Sequence, residues 1–325
     1  LDQDLQTARN WAWNATMEQD LSNKFLLGIS YVGSKGLQLY RPINTNRLGS
    51  GRLQGRPDER LVNYTAGFIT VGNQAQSSYH GGQLRIESLR LRRLGLQYGL
   101  NYTWSHSLDN VSSLVGDDRV SGGSGVPLDA FNPDWDRGSS DHDVRHRMVS
   151  HFVWQIPGSF KLRGLSKLFL GNWQLSGLLS FQTGQPFSLR DDRVFDRELT
   201  DNTRPLVTGI LPPMLYKKGL VADGRTPNAF LILPLNTVRN SDGSCIPNAR
   251  PFGCQLSVNG PFHGSLGRNT FQRPGTHFQN IVLAKTITIP GIGRDEGVQV
   301  QCRAEFYNIF NHSNLYIKPL TTNVA

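Results

Sequence analysis

The sequence predicts an all-β fold, namely part of an antiparallel transmembrane β-barrel with about eight long strands and long extracellular loops. Three features of the chain lead to this prediction. Several segments alternate apolar and polar residues, these segments are longer than typical soluble strands, and the connections between them are alternately short and very long. A barrel in a membrane turns its apolar side to lipid and its polar side to a wet lumen.

The clearest alternation follows a short turn at residues 92–95. Leu96, Tyr98, Leu100, Tyr102 and Trp104 alternate there with Gln97, Gly99, Asn101, Thr103 and Ser105. A period of two places the first set on one face of a strand and the second set on the other. The segment before the turn alternates in the same way and is its predicted antiparallel partner.

Strand length and loop length favour a membrane barrel over a soluble sheet. Both strands of this hairpin run to about a dozen residues, whereas soluble strands usually have ~5–6 residues and a tilted membrane-crossing strand needs ~9–11. Further strands are predicted at residues 11–20, 25–32, 145–156, 173–183, 278–289 and 298–310, with a short one near 68–71.

The connections between these strands are markedly unequal in length. The turns at 21–24, 92–95 and 290–296 are short, and we assign them to the periplasmic side. The loops at 41–78, 108–144 and 184–276 are very long and are assigned to the outside. Outer-membrane barrels have this asymmetry, and compact soluble domains rarely contain several structureless loops of such length.

Composition and charge argue against two other classes. The longest apolar runs, such as residues 229–233, are far shorter than the ~20 residues of a transmembrane helix. The formal net charge is +9, but Lys and Arg are scattered without a basic helix or stripe, so nucleic-acid binding is not expected. Cationic loops suit an anionic outer leaflet instead. The expected partners are therefore outer-membrane lipid and lipopolysaccharide.

The three cysteines are interpreted separately. Cys245 and Cys254 lie in one Gly-, Pro- and Asn-rich loop, at a spacing that can close a small disulfide, which implies an oxidising compartment. Cys302 stands alone on a predicted strand as an inert apolar residue. The chain begins at Leu1 without a signal-peptide pattern, so we expect a fragment or a processed piece of an exported protein.

Six segments, in order along nearly the whole chain, carry a family resemblance. They read GISYVGSKGLQL, YHGGQLRIESLRLRRLGLQYGLNYTWSHSLDN, SDHDVRHRMVSHFVWQIPG, GNWQLSGLLSFQTGQPFS, SLGRNTFQRPGTHFQNIVLAKT and VQVQCRAEFYNIFNHSNL. Together they resemble the C-terminal barrel of TonB-dependent outer-membrane transporters, in particular the Oar-like class. The resemblance implies that residues 1–325 are the C-terminal part of a receptor β-barrel of about 22 strands, with the plug and N-terminal domains absent from the chain.

The resemblance also implies a location and a function. The location is the cell outer membrane of a Gram-negative bacterium. The function is uptake of a bulky, unknown solute, energised through the plug domain of the same protein and TonB. A passive porin-like or adhesin-type barrel without a plug is the alternative from another class. A third hypothesis is a soluble secreted β-sandwich that binds carbohydrate through its aromatic residues.

Two sets of strand residues are candidate functional residues. Arg85, Glu87, Arg303 and Glu305 are predicted to face the lumen, where they either contact the plug and line the solute path or neutralise one another across neighbouring strands. The second set, Trp13, Tyr31, Trp104, Trp154 and Trp173, is assigned to the aromatic girdles at the membrane interfaces.

No catalytic residues, cofactor or metal site are predicted. The polar run from Asp141 to Arg147 mixes His and Asp without a recognised metal spacing, and the alternative is a rim in which Asp141 and Asp143 pair with Arg145 and Arg147. The acidic run at 191–202 lacks the spacing of a calcium loop and is interpreted as solvated loop. Nucleophile-elbow, phosphate-loop and zinc-protease motifs are absent, so an enzyme is not expected.

Overall fold

The computed structural model describes residues 4–22, 24–44, 69–88, 94–113, 127, 132–157, 171–189, 204, 206–207, 252–253, 265–289 and 298–314. Its long strands are β1 (Arg9–Leu21), β2 (Phe25–Asn44), β3 (Ile69–Ser88), β4 (Leu96–Asp109), β6 (His146–Gln155), β7 (Trp173–Gln182), β12 (Thr276–Ile289) and β13 (Val298–Phe306). The short strands are β5 (Gly138–Ser139), β8 (Pro186–Phe187), β9 (Leu206–Val207), β10 (Phe252–Gly253) and β11 (Phe271–Gln272), and one 3-10 helix spans Pro133–Asp136.

The eight long strands form one antiparallel sheet in the order β1-β2-β3-β4-β6-β7-β12-β13, with β5 paired to β4. Every long strand therefore pairs with its neighbours along the chain, which confirms the predicted fold class. We call the end of the sheet at which β1 connects to β2, β3 to β4, β6 to β7 and β12 to β13 the turn end. The opposite end, at which β2 connects to β3, β4 to β6 and β7 to β12, is the loop end. Within the described ranges, no helix is long and apolar enough to cross a membrane.

The strands β2 and β3 are longer than the sequence predicted. Each has 20 residues. Residues 41–44 and 69–78 therefore belong to these strands, although the sequence predicted a loop at 41–78 with only a short strand near 68–71. Beyond Gly36 the register shifts at a bulge, where Gln38 has a φ of 54°. The Asn73 side chain supports the bulge by donating to the Gln38 carbonyl oxygen at 2.6 Å. A bulge bends a strand without ending its hydrogen-bonded ladder. The pairing of β2 with β3 therefore continues beyond the residues that alternate between apolar and polar.

The register defines two faces, because paired residues in neighbouring strands point to the same side of a sheet. The apolar face carries, among others, Met17, Ile29, Leu84, Leu100, Phe152, Leu175, Ile281 and Val300. The polar face carries, among others, Thr16, Ser30, Gln83, Asn101, Arg147, Ser176 and Gln301. Thr16 and Ser30 illustrate this grouping, since their hydroxyls lie 3.1 Å apart across β1 and β2.

The apolar face is not the core of a soluble domain. Among the described residues the buried apolar side chains are Ile43, Ala75, Phe187, Leu189, Leu266, Phe271 and Ala284. All of these except Ala284 lie towards the loop end. Tyr98, Leu100, Leu175 and Phe181 on the apolar face stay partly exposed, and Met17 and Trp104 are at least 60% exposed. This arrangement excludes the carbohydrate-binding sandwich, whose apolar faces would be buried against each other.

Gly177 should tolerate a side chain much less well than Gly82, although both lie on the apolar face. A Cβ at Gly177 would lie 2.5 Å from Phe152 Cε1 and 2.9 Å from Ile281 Cδ1, whereas a Cβ at Gly82 meets nothing within 4 Å. We expect Gly177→Val to destabilise the intact protein by about 1–3 kcal/mol through overpacking, and Gly82→Val to have little effect. Urea titration in lipid vesicles measures the free energy of unfolding of both variants. Equal losses would contradict the packing of Phe152 and Ile281 against Gly177.

Candidate functional site

The polar face carries a charged group near the turn end of β3. Arg85 donates from Nε and Nη2 to Glu87 Oε1, at 3.0 and 2.9 Å. These residues are two apart on one strand, so they share a face. The sequence had left two roles open for this pair, solute or plug contact and pairing across strands. The observed pairing runs along a single strand.

A glycine lets the same arginine reach a second carboxylate two strands away. Glu18 on β1 and Arg85 on β3 both pair with Gly28 of β2, and Arg85 Nη1 lies 4.0 Å from Glu18 Oε1. A Cβ at Gly28 would stand 3.5 Å from Arg85 Cβ and 3.9 Å from Glu18 Cγ. The absent side chain leaves room for the pair to meet. Arg85 and Glu18 remain 48% and 54% exposed, so the group is open to solvent.

A second charged group of the same type lies on β13. Arg303 Nε donates to Glu305 Oε1 at 2.5 Å, and the Tyr307 hydroxyl also donates to Glu305. Five strand spacings separate β3 from β13 in the sheet, which amounts to about 24 Å. The structure therefore groups the four lumen candidates into two separate pairs on one face.

The five aromatic candidates lie on the apolar face at two levels. Tyr31 and Trp104 share one row through Gly82, and Trp13 lies two residues nearer the loop end. Trp154 pairs with Leu96 near the turn end, and Trp173 pairs with Lys285 there. The two levels are separated by the eight residue steps from Leu96 to Trp104, about 27 Å along a strand.

The loop end holds a buried ion-pair network that the sequence did not predict. Its first part is centred on Asp136, which accepts from Arg41 Nη2 at 3.1 Å and from Arg204 Nη2 at 2.9 Å. The Arg41 side chain is 1% exposed. Burial lowers the pKa of Arg204 below its usual value, against the opposing charge of Asp136. Arginine is so basic that it remains a cation even so.

The second part of the network is centred on Arg268. Its Nη1 donates to Asp109 Oδ1 at 2.5 Å, and its Nη2 donates to Ser112 Oγ at 2.7 Å and to Asp141 Oδ1 at 3.2 Å. Burial lowers the pKa of Arg268, but the charges of Asp109 and Asp141 outweigh it and the pKa is raised. One guanidinium thus ties the end of β4 to the segments before β6 and before β12.

The polar run at 141–147 is partly what the sequence predicted. Asp143 pairs with Arg145 at 3.4 Å, as expected for a salt-bridged rim, and also with His106 Nδ1 at 3.1 Å. Asp141 pairs with Arg268 instead of an arginine in its own run, and Arg147 projects from the polar face of β6. The preference for Arg268 follows from chain packing, because segment 265–270 lies against β5.

The remaining predictions concern the three cysteines, the acidic run at 191–202 and metal binding. Cys245, Cys254 and the acidic run at 191–202 lie outside the described residues, so the proposed disulfide and the solvated loop remain predictions. Cys302 is a free, exposed thiol on the apolar face. Across the described ranges, no three His, Cys, Asp or Glu side chains converge in a way that suits a metal ion.

Sequence inspection missed Glu18, Tyr307 and the arginines of the loop-end network. The sequence does contain one signal of charged groups on the polar face, because Arg85 and Glu87 have the same Arg-x-Glu spacing as Arg303 and Glu305. A repeated spacing of two on strands marks side chains that share a face. Arg268 has no comparable signal, because its partners lie up to 159 positions away.

Comparison with known proteins is consistent with this geometry. A family model described as an outer membrane β-barrel domain matches residues 1–325. The crystal structure of the outer membrane transporter YddB from Escherichia coli is similar, with a TM-score of 0.43 and 10% sequence identity. The match covers 95% of this chain and 29% of that chain, so the chain spans less than a third of the transporter. No curated protein matches in sequence.

Proposed function

Because the chain belongs to the family of outer membrane β-barrel domains, we propose that it forms part of the wall of a TonB-dependent transporter for a bulky solute. Its family places the protein in the outer membrane of a Gram-negative bacterium. The proposed role is transport and not catalysis. The observation that carries it is the two-faced sheet, with an uncovered apolar face on one side and paired charges on the other.

The spacing of the aromatic residues supports a membrane-crossing orientation. The two aromatic levels are about 27 Å apart along β4, and a strand tilt of ~40° reduces this to roughly 21 Å along the membrane normal. The apolar band of an outer-membrane barrel is ~25 Å tall and is bounded by aromatic girdles. We therefore assign Trp13, Tyr31 and Trp104 to the outer girdle and Trp154 and Trp173 to the inner girdle.

The sheet edges support a barrel wider than eight strands. All residues of β1 and of β13 are exposed, and among the described strands each pairs on one side only. Open sheet edges do not occur in lipid, because unpaired backbone groups there cost several kcal/mol each. We propose that both edges pair with further strands of a larger barrel, and that residues 1–325 are its C-terminal part.

The charged pairs on the polar face support a solute path that is wet. Exposed ion pairs contribute only ~0–1 kcal/mol to stability, so Arg85 and Glu87 are not needed to hold the sheet. Facing the lumen, they would contact the plug domain or the solute. The loop end would then lie outside the cell, in contact with lipopolysaccharide, and the turn end would face the periplasm.

Bilayer conductance and TonB binding distinguish this proposal from a passive porin-like or adhesin-type barrel. A plugged transporter should show no steady channels as the intact protein and should bind the C-terminal domain of TonB. Deleting the proposed plug from the intact protein should open a steady conductance. Steady channels in the intact protein, without TonB binding, would reject the proposal in favour of the passive barrel.

A further inference from the structure

Two large apolar side chains interrupt the polar face of the sheet. Leu178 on β7 and Phe278 on β12 lie on that face, where they pair with Asn280 and Ser180. They are 49% and 51% exposed, although both strands are paired on either side. Among the described strands that pair on both sides, the other exposed large apolar residues lie on the apolar face. The exposure of these two is therefore not a consequence of an open sheet edge.

The two side chains belong to a larger surface that crosses four strands. Leu178 pairs with His151 of β6 on one side and with Asn280 on the other. Tyr307 is next to Asn280, because it follows Phe306, the last residue that pairs with β12. Three strand spacings from β6 to β13 amount to about 14 Å. We call this surface the platform, and its residues are His151, Leu178, Phe278, Asn280 and Tyr307.

The platform presents open rings together with hydrogen-bonding groups. His151 is exposed, and Tyr307 is 72% exposed. A Cβ at Gly99 would lie 2.6 Å from His151 Nε2, so the missing side chain lets that imidazole lie over β4, away from β7. Asn280 Oδ1 accepts from Asn308 N at 3.1 Å, and Asn280 Nδ2 makes no hydrogen bond within the described part of the chain.

The platform is uncharged and lies between two groups of paired charges. The polar-face positions of β7 and β12 carry no Asp, Glu, Lys or Arg. On one side, Glu87 of β3 continues the row of the platform and accepts from Arg85. On the other side, Glu305 accepts from Arg303 and from the Tyr307 hydroxyl, which places the tyrosine ring on the polar face. A ligand on the platform therefore meets charges that already neutralise one another.

These groups suit a neutral sugar ring better than other classes of solute. The faces of a pyranose carry weakly positive C–H groups, which the negative faces of aromatic rings attract. Its hydroxyls match the donors and acceptors of carboxamide, imidazole and phenol groups. A charged solute would find no unpaired countercharge on the platform. A purely apolar solute would leave the carboxamide and the imidazole without partners.

The platform lies where a solute that crosses the lumen would pass. The row of Leu178 includes Gly99, the neighbour of Leu100 in β4, close to midway between the two aromatic levels. We propose that the platform binds a ring of a neutral oligosaccharide, and that such a saccharide is the bulky solute. This inference rests on the proposed function, because only that orientation turns the polar face to a wet lumen.

Calorimetric titration of the intact protein in detergent with maltohexaose, cellohexaose and mannohexaose tests the proposal. At least one of these saccharides should bind. Phe278→Ala combined with Tyr307→Ala should weaken that binding by about tenfold, the effect of losing two ring contacts. Phe278→Tyr should retain it, because the ring stays in place. Phe310→Ala is the matched control and should change nothing, since Phe310 is 75% exposed but lies beyond β13 and outside the platform.

Four results would overturn the proposal. The first is the absence of binding by all of these hexasaccharides, and the second is an equal loss of binding in the Phe310→Ala control. The third is an equal affinity for hexagalacturonate, which is charged, or for indole, which would assign the platform to an acidic or an aromatic solute. The fourth is unchanged saccharide binding in the double variant together with newly opened steady channels, which would assign the platform to contact with the plug.

The titration needs neither TonB nor an energised membrane, so its failure is distinguishable from failure of the transport proposal. An intact protein that stays closed and binds TonB, but binds no hexasaccharide, would keep the transport proposal and reject the platform. A protein that binds a hexasaccharide through the platform, yet conducts steadily without binding TonB, would keep the platform and reject energised transport.

Discussion

Leu100→Arg should destabilise the membrane-inserted protein by about 2–4 kcal/mol, the cost of an arginine on the lipid face near the bilayer midplane. Leu100 lies on the apolar face of β4, paired with Ile86 of β3 and Ser150 of β6. It is midway between Leu96 and Trp104, whose rows carry the two aromatic levels. At this depth the long side chain of arginine cannot easily reach either interface.

Asn101→Arg is the matched control for depth, because it is the next residue and projects from the polar face. Asn101 pairs with Arg85, so the variant adds a like-charge neighbour that costs up to ~1 kcal/mol. Urea titration of the intact protein in lipid vesicles gives both free energies of unfolding. Penalties of the same size at both positions would contradict the assignment of the apolar face to lipid.

Arg268→Met should destabilise the loop end by about 3–5 kcal/mol, the usual cost of leaving buried charges without their partner. Arg268 contacts two carboxylates, those of Asp109 and Asp141, and its side chain is 11% exposed. Methionine has a similar length but no donors. The variant would leave both acids buried beside an apolar chain, and the segments before β6 and β12 would lose their common anchor.

Two further variants make this expectation specific to the charges. Asp109→Asn combined with Asp141→Asn should recover much of the loss in the Arg268→Met protein, because neutral amides cost less to bury than carboxylates. Arg85→Met, on the exposed polar face, should cost no more than ~1 kcal/mol. Hydrogen exchange of residues 138–146 and 265–276 measures the local effect. Protection that is unchanged in Arg268→Met would contradict the network.

The candidate sites differ in how far the sequence could predict them. The partners Arg85 and Glu87 are two residues apart, and Arg303 and Glu305 repeat that spacing, so strand alternation alone places each pair on one face. The link from Arg85 to Glu18 depends on the register of three strands and on the missing side chain of Gly28. The position of segment 272–276 beside Phe181 depends on which loop segment packs there, and nothing in the local sequence specifies that choice.

The sequence by itself determined the strands, their order and the division into two faces, because strand alternation has a period of two and short turns force neighbours to pair. The tertiary structure alone decided that β2 and β3 continue past Gly36, and that Asp141 meets Arg268 127 positions away. Both depend on long-range contacts. A bulge keeps a ladder intact where the apolar pattern has ended, and buried charges must find partners wherever the packed loops bring them.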